Sequence, residues 1–352
     1  HMRTAQLFLS RKLIQKQLII NKQTKKTMEK FMKYFMLVLM VSAMVLAGCS
    51  KDDEEETPTP TPTPSYEVLK NYMVANNLDV DVVIDGWIID AAGVNGKGTD
   101  AYHIIDIRDD DTYNAGHSEG AVNSTLGDIL NAAAGATKPI LVVCFTGQTA
   151  GHGVIALRLS GYSDAKVLKW GMAGWNNEFS APWLNNIGDG AAGTGSWVAA
   201  PGSITASAEF TSPVIETSFT EGADILAERV DFMLTNGFQG VENDVVLGAP
   251  GNYFINNYWA LADVNTYGNI TGAYRVQPFT LAANNDKNLD ATGTVVTYCW
   301  TGQTSSMMTA YLTVLGFDAK SLKFGVNSMI YSDLTGHNYT APGTDFPYVT
   351  SK

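Results

Sequence analysis

From Tyr66 to Asn77 the apolar residues Val68, Leu69, Tyr72 and Met73 share one face at helical spacing, which predicts a helix. His103–Ile107 is a short apolar segment and predicts a strand. Pro139–Val143 reads Pro-Ile-Leu-Val-Val, the unbroken apolar run of a strand covered on both faces. Thr149–Ser160 returns to a helical pattern, and Ala165–Leu168 to a strand. Strand and helix signals in alternation favour an α/β fold around a parallel sheet.

The same pattern then recurs. Cys144-Phe145-Thr146-Gly147-Gln148-Thr149 is matched by Cys299-Trp300-Thr301-Gly302-Gln303-Thr304, and Gly161-Tyr162 by Gly316-Phe317. Leu168-Lys169-Trp170-Gly171 is matched by Leu322-Lys323-Phe324-Gly325. Upstream, the block from Gly116 to Ala121 is matched by Gly268 to Ala273. Blocks in one order at a near-constant offset of 152 to 155 residues indicate an internal duplication. That period is too long for a solenoid and suits two tandem domains. The expected bounds are 66–187 and 207–352, joined by a Gly/Ala/Ser-rich linker over 188–206.

Ahead of Tyr66 the pattern changes. An apolar run from Tyr34 to Ala47 follows basic residues and ends in Leu46-Ala47-Gly48-Cys49, with Met28 and Met32 as expected starts. The run is too short to span a bilayer comfortably and has the length of a signal-peptide core. Its end resembles the lipobox of bacterial lipoproteins, which implies cleavage before Cys49 and lipidation of that residue. Residues 1–48 are therefore expected to be a signal segment, and 49–65 a lipidated stalk. Lys51 to Glu56 reads either as an acidic export tag or as a solvated spacer. The Thr-Pro repeats from Thr57 to Pro64 can form neither helix nor central strand, because proline lacks the amide donor and fixes φ. The folded body is expected to stand off an outer membrane, in the periplasm or at the surface.

Composition narrows the chemistry. The chain has 352 residues, 45% of them hydrophobic, and a formal net charge of −12. Residues 1–48 hold nine Lys/Arg and one acid; the remainder holds 14 basic and 34 acidic residues. Such an acidic body argues against a nucleic-acid partner. Three cysteines exclude a disulfide scaffold and a four-cysteine zinc site, and no cluster has metal-ligand spacing. No metal is expected.

Cys144 and Cys299 each follow a buried strand and begin a Gly-containing loop that opens a helix. This geometry turns successive backbone N–H groups into one concavity, and the helix N-terminus adds positive potential. A cysteine placed there is expected to have a depressed pKa and to act as a nucleophile. His152, one turn into the following helix, either assists that shift or sits exposed.

The sequence here resembles the rhodanese sulfurtransferases. The resemblance rests on Asp106-Ile107-Arg108 at a strand end, Gly116-His117 with Gly120-Ala121, the loop Cys144–Thr149, and Leu168–Trp175 as a closing segment. It covers about 66–182 and 223–347, and implies two tandem rhodanese-like domains, each a parallel sheet flanked by helices. It implies a catalytic cysteine, Cys144 or Cys299, that accepts sulfane sulfur as a persulfide from a small sulfur-containing anion. A thiol or a cyanide-like acceptor then removes the sulfur, and the resemblance implies that no metal or organic cofactor is needed. Phe145, Thr146, Gly147, Gln148 and Thr149 would form the substrate-binding loop, with Arg108 as the orienting charge and Asp106 and His117 in support. Trp300, Thr301, Gly302, Gln303 and Thr304 would form the second loop.

The copies are unequal. Ile255-Asn256-Asn257-Tyr258 stands at the second strand end, and Asn269 replaces His117, which favours Cys144 as the nucleophile. Phe145 and Trp300 stand where thiosulfate-using relatives often have a basic residue. That leaves two readings open, an enzyme or a sulfur carrier without turnover. Arg108 is expected either to orient substrate or to pair with Asp109, Asp110 or Asp111. His117 is read as a hydrogen-bonding loop residue rather than an acid or base. Gly116-His117-Ser118-Glu119-Gly120 matches the serine-hydrolase elbow, but it neither follows a buried strand nor opens a helix. Ala150 and Ser305 stand where a cysteine phosphatase would place its arginine, which disfavours that chemistry.

Overall fold

Proline at position 64, with φ −54°, sets the entry to the first helix; its fixed φ suits a helix start. The fold is taken from a computed structural model that describes residues 63–351. The expected signal segment, Cys49 and the Thr-Pro run as far as residue 62 lie outside the described residues. The rest falls within one compact unit, Pro62–Lys352.

The first half runs α1 (Ser65–Ala75), α2 (Val80–Val83), β1 (Ile88–Ile89), α3 (Ala91–Lys97), β2 (His103–Asp106), α4 (Asp110–Ala115) and β3 (Val122–Asn123). It continues with α5 (Ile129–Ala133), β4 (Ile140–Val143), α6 (Gln148–Leu159), β5 (Lys166–Leu168), α7 (Ala181–Leu184) and β6 (Trp197–Val198). The second half runs α8 (Gly222–Asn236), β7 (Gly240–Val241), α9 (Asn243–Gly248), β8 (Phe254–Asn257) and α10 (Leu261–Tyr267). It ends with β9 (Asn269–Ile270), β10 (Val295–Tyr298), α11 (Gln303–Val314) and β11 (Ala319–Leu322).

Two parallel sheets result. The first has the order β1-β5-β4-β2-β3 and the second β7-β11-β10-β8. In the second sheet the place of β3 is taken by a single parallel bridge, Asn256 to Tyr274. The central strands β4 and β10 are buried along their whole length, as strands covered by helices on both faces must be. The sequence pattern Pro139–Val143 and Thr149–Ser160 matches β4 and α6 to within one residue at each end. For α1 the expected Tyr66–Asn77 overruns the helix by two residues at its C-terminus, where Asn77 takes a left-handed φ of 56°.

The stretch expected as a linker packs against the second half. Gly188 and Ala191 donate their amides to Asn327 and Met329, and β6 pairs antiparallel with β9. The halves also exchange their ends. Tyr66 and Lys70 of α1 bind Asp286 of the second half, at 2.6 and 2.7 Å. The C-terminal segment returns to the first half, where Phe346 donates to Trp175, and Val349 and His117 exchange a pair of backbone bonds. Helices α6 and α11 cross at the junction of the halves, with Gly151 against Ser306 and Met307. Nearly every residue of both helices is buried, because each is covered by its own sheet on one side and by the other helix on the other.

Candidate active site

The thiol of Cys144 sits at the C-terminal end of β4, in the turn that opens α6. Gly147 makes that turn with a left-handed φ of 80°, a conformation that glycine adopts without penalty. The amides of Gly147 and Ala150 donate to Cys144 Sγ at 3.1 and 3.4 Å. The sulfur therefore occupies the concavity that the loop amides create. A second layer holds the loop from behind. Met172 and Ala173 donate to the carbonyls of Cys144 and Phe145, and Trp183 Nε1 donates to the Thr146 carbonyl. Gly171 lies so close that a Cβ there would overlap the Cys144 carbonyl oxygen.

The expectation of a depressed Cys144 pKa is corrected. Burial pushes the thiol above its ordinary value; the amides of Ala150, Thr146 and Gly147 pull the other way, and the Asp106 carboxylate adds to the rise. Cys144 is 3% exposed, so desolvation of a thiolate outweighs the loop amides. His152 neither assists that shift nor sits exposed. It is fully buried between α6 and α11, with Nδ1 2.9 Å from Ser306 Oγ, and burial pushes its pKa down to about 3.

Arg108 pairs with Asp106, and not with Asp109, Asp110 or Asp111. Its Nε and Nη2 donate to both carboxylate oxygens, and Nη2 also donates to the Gly116 carbonyl. Asp109 instead caps α4 through the Thr112 amide. The guanidinium lies between the rings of Phe145 and Phe179, 5.8 and 5.6 Å from their centroids, with its side chain fully buried. Arg108 thus braces the strand end against the Gly116 turn through Nε and Nη2, while its buried Nη1 has no hydrogen-bond partner. His117 stacks on Tyr113 at 3.8 Å, with Nδ1 2.9 Å from the Tyr113 carbonyl, the geometry of a loop-holding residue.

The loop residues divide by exposure. Phe145 is exposed and Thr149 half-buried, whereas Thr146, Gly147 and Gln148 are buried. Gln148 does not face open space. Its Nε2 donates to Thr146 Oγ1, and its Oε1 accepts the amide of Phe324 from the second half.

Cys299 stands in the same relation to β10 and α11. The Ser305 amide donates to Cys299 Sγ at 3.3 Å, and Ser305 Oγ, 3.6 Å from the sulfur, also bonds Ser321 Oγ. Gly302 repeats the left-handed turn at φ 75°. Trp300, Thr301 and Thr304 are half-buried, and Gln303 is buried. Strand register makes Asn257 the counterpart of Asp106, since it lies opposite Tyr298 as Asp106 lies opposite Val143. Trp259 then takes the place of Arg108 and stacks on Trp300 at 4.5 Å, so an aromatic stack replaces the ion pair.

A family model described as the rhodanese-like domain matches residues 93–178, the span that carries Asp106, Arg108, His117 and the Cys144 loop. The thiosulfate sulfurtransferase GlpE of Pseudomonas fluorescens is 33% identical over 81 residues, which cover 22% of this chain and 73% of that protein. The chain belongs to the rhodanese-like family. Two solved structures are also similar. A thiosulfate sulfurtransferase from Pseudomonas aeruginosa is 13% identical, over 79% of this chain and 49% of that one, with a TM-score of 0.28. A 3-mercaptopyruvate sulfurtransferase from Leishmania major is 14% identical, over 71% and 75%, with a TM-score of 0.26.

Within the rhodanese-like domain, sequence reasoning missed the residues that clasp the loop from outside it. Trp170 and Phe324 both adopt left-handed φ, 67° and 61°, immediately before the glycines that support each cysteine loop. The repeated Leu-Lys-aromatic-Gly block marked these positions, but not their conformation. The repeated Gln in both loops was visible too, and only the fold shows that each side chain crosses to the opposite half.

Proposed function

We propose that the chain is a sulfurtransferase built from two tandem rhodanese-like domains, with Cys144 as the sulfur-accepting nucleophile. The observation that carries this reading is the Cys144 sulfur at a strand end, facing the amides of Gly147 and Ala150. The same amides that hold the thiol stabilise negative charge on the sulfur once it forms. A thiolate lone pair on Cys144 attacks the transferable sulfur of a small sulfur-containing anion. A new S–S bond forms and the bond holding the donor sulfur breaks: in thiosulfate the S–S bond, whose electron pair leaves with sulfite, and in 3-mercaptopyruvate the C–S bond, whose electron pair leaves as the enolate that a proton converts to pyruvate. Cyanide or a thiol then attacks the terminal sulfur of the persulfide and returns the Cys144 thiolate. Thr149 and Phe145 flank the approach to the loop, and Asp106, Arg108 and His117 keep the strand end and the Gly116 turn in place.

Cys299 is a second site of the same kind with weaker support, because only Ser305 supplies a backbone amide bond to its sulfur. A carrier without turnover is the second reading. It is favoured by the uncharged Phe145 and Trp300 beside the two cysteines, which leave an anionic donor without local positive charge. Cys49 is the proposed lipid anchor that holds the body at an outer membrane; detergent-phase partition of the chain, lost on Cys49→Ser, tests it.

The main test is mass spectrometry of the purified chain before and after thiosulfate or 3-mercaptopyruvate, with thiocyanate formation measured in the presence of cyanide. The expected result is one sulfur adduct that Cys144→Ser abolishes, together with turnover. An adduct without turnover selects the carrier. No adduct on either cysteine with either donor overturns both sulfur readings, and an adduct lost only in Cys299→Ser moves the site to the second half.

A further inference from the structure

The two cysteine loops face each other across the junction, and each sends one side chain to the other half. Gln303, from the Cys299 loop, accepts the amide of Trp170 at 3.1 Å. Gln148, from the Cys144 loop, accepts the amide of Phe324 at 2.8 Å. Both glutamines are buried, at 1% and 2% exposure, so neither carbonyl has water to fall back on.

The amides they receive come from strained positions. Trp170 and Phe324 are non-glycine residues with left-handed φ, a conformation that persists only when the surroundings enforce it. Each begins the segment that clasps a cysteine loop. After Trp170, Met172 and Ala173 donate to the carbonyls of Cys144 and Phe145; after Phe324, Val326 and Asn327 donate to those of Cys299 and Trp300. Each glutamine carbonyl also lies against the glycine of the opposite loop. A Cβ on Gly147 would come within 2.6 Å of Gln303 Oε1, and a Cβ on Gly302 would overlap Gln148 Oε1. The Thr-Gly-Gln triplet shared by the two loops is therefore an interlocking pair. The glycine of one loop makes room for the glutamine of the other.

We propose that Gln303 and Gln148 are positioning residues acting in trans: Gln303 sets the clasp over the Cys144 loop, and Gln148 the clasp over the Cys299 loop. The reactivity of each thiol then depends on a residue of the opposite half more than on the matching residue of its own loop. The functional meaning rests on the sulfur-transfer reading above, but the test reads thiol alkylation and not sulfur transfer, so the two can fail separately.

Gln303→Met keeps the length of the side chain and removes the acceptor. It is the cleaner of the two variants, because Gln148 also binds Thr146 within its own loop. In the full chain, the rates of iodoacetamide modification at Cys144 and Cys299 are followed by peptide mass spectrometry. One buried amide bond lost is expected to raise the Cys144 rate roughly three- to tenfold, with the Cys299 rate changed less than about twofold. Gln303→Glu retains the acceptor oxygen and is expected to restore the Cys144 rate. A change at Cys299 equal to or larger than that at Cys144, or no change at either thiol, overturns the proposal. Should Gln303→Met fail to fold, amide hydrogen exchange in the unaltered protein decides. Protection of the Trp170 and Phe324 amides is expected, and free exchange at either overturns the proposal.

Discussion

The Arg108 guanidinium holds the Asp106 carboxylate at 2.6 Å, and neither side chain is exposed to solvent. A buried pair of this kind adds little net stability by itself, because both charges have lost their hydration. Removing one partner is different, since it strands the other charge. In the second half the same positions hold Asn257 and Trp259, so the scaffold can be built without charge there.

Arg108→Met is therefore expected to destabilise the protein by about 3–5 kcal/mol, as removal of one member of a buried ion pair does. Urea unfolding of the variant against the unaltered chain measures this. A loss below about 1 kcal/mol, coupled to weakened sulfur-donor binding, would restore Arg108 to the substrate-orienting role that the sequence suggested.

Two glycines with positive φ give a second comparison. At Gly120, φ is 80° and a Cβ would meet nothing within 4 Å, so Gly120→Ala should cost only the left-handed penalty of about 1–2 kcal/mol. At Gly171, φ is 62° and a Cβ would press on the backbone of Cys144, Phe145 and Thr146. Gly171→Ala should cost roughly 2–5 kcal/mol, from strain and overpacking together, and should alter Cys144 alkylation as well. Thermal unfolding of the two variants side by side checks the ranking. Equal costs would mean that the Gly171 segment can retreat from the loop.

The parts of the fold written in local pattern were legible in the sequence. Pro139–Val143 reads as a buried strand because it is an unbroken apolar run, and the repeated loop carries that reading to the strand before Cys299, although Thr297 interrupts the apolar run there. The turn glycines Gly147 and Gly302 read as loop openers. What could not be read is set by contacts distant in sequence. Tyr66 and Lys70 fall in a segment whose local pattern predicts only a helix, yet Asp286 fixes them from 216 to 220 residues away. His152 carries no local sign of burial; the second helix, 154 residues on at Ser306, covers it. The thiol pKa depends on the same distant contacts. Loop amides are visible in a motif, whereas the desolvation that outweighs them comes from the whole fold.

Cys144 titrates in the opposite direction to the first expectation, with a testable sign. Its folded pKa is raised by burial, so the neutral thiol prevails at neutral pH. Alkylation of Cys144 should still be climbing with pH where a free thiol, with a pKa of about 8.5, has already levelled off. The linked stability is fully present below that unfolded value and is lost as pH rises through the higher folded one. A Cys144 rate that reaches its plateau below pH ~8 would show that the loop amides win after all.

His152 gives the acid-side counterpart. Ser306 Oγ donates to the Gln148 carbonyl at 2.5 Å, which leaves it to accept from His152 Nδ1–H and so places a proton on Nδ1. Nε2 has no hydrogen-bond partner, and the Phe238 ring packs edge-on with its centroid 5.1 Å away, so a second proton would be buried without an acceptor. Burial accordingly lowers the folded pKa to about 3, against an ordinary value of 6.5. The unfolded chain takes up a proton below pH 6.5 that the folded chain refuses. Stability is thus intact above pH 6.5 and falls toward about pH 3. The limiting slope for one proton is about 1.4 kcal/mol per pH unit. Carboxylates titrate mostly below pH ~5, which makes the interval from about 6 to 5 the diagnostic one. His152→Asn, which keeps a polar partner for Ser306 and cannot titrate, should flatten the curve there by one proton's worth. Identical slopes in urea unfolding of the two proteins across that interval would mean that His152 takes up its proton in the folded state.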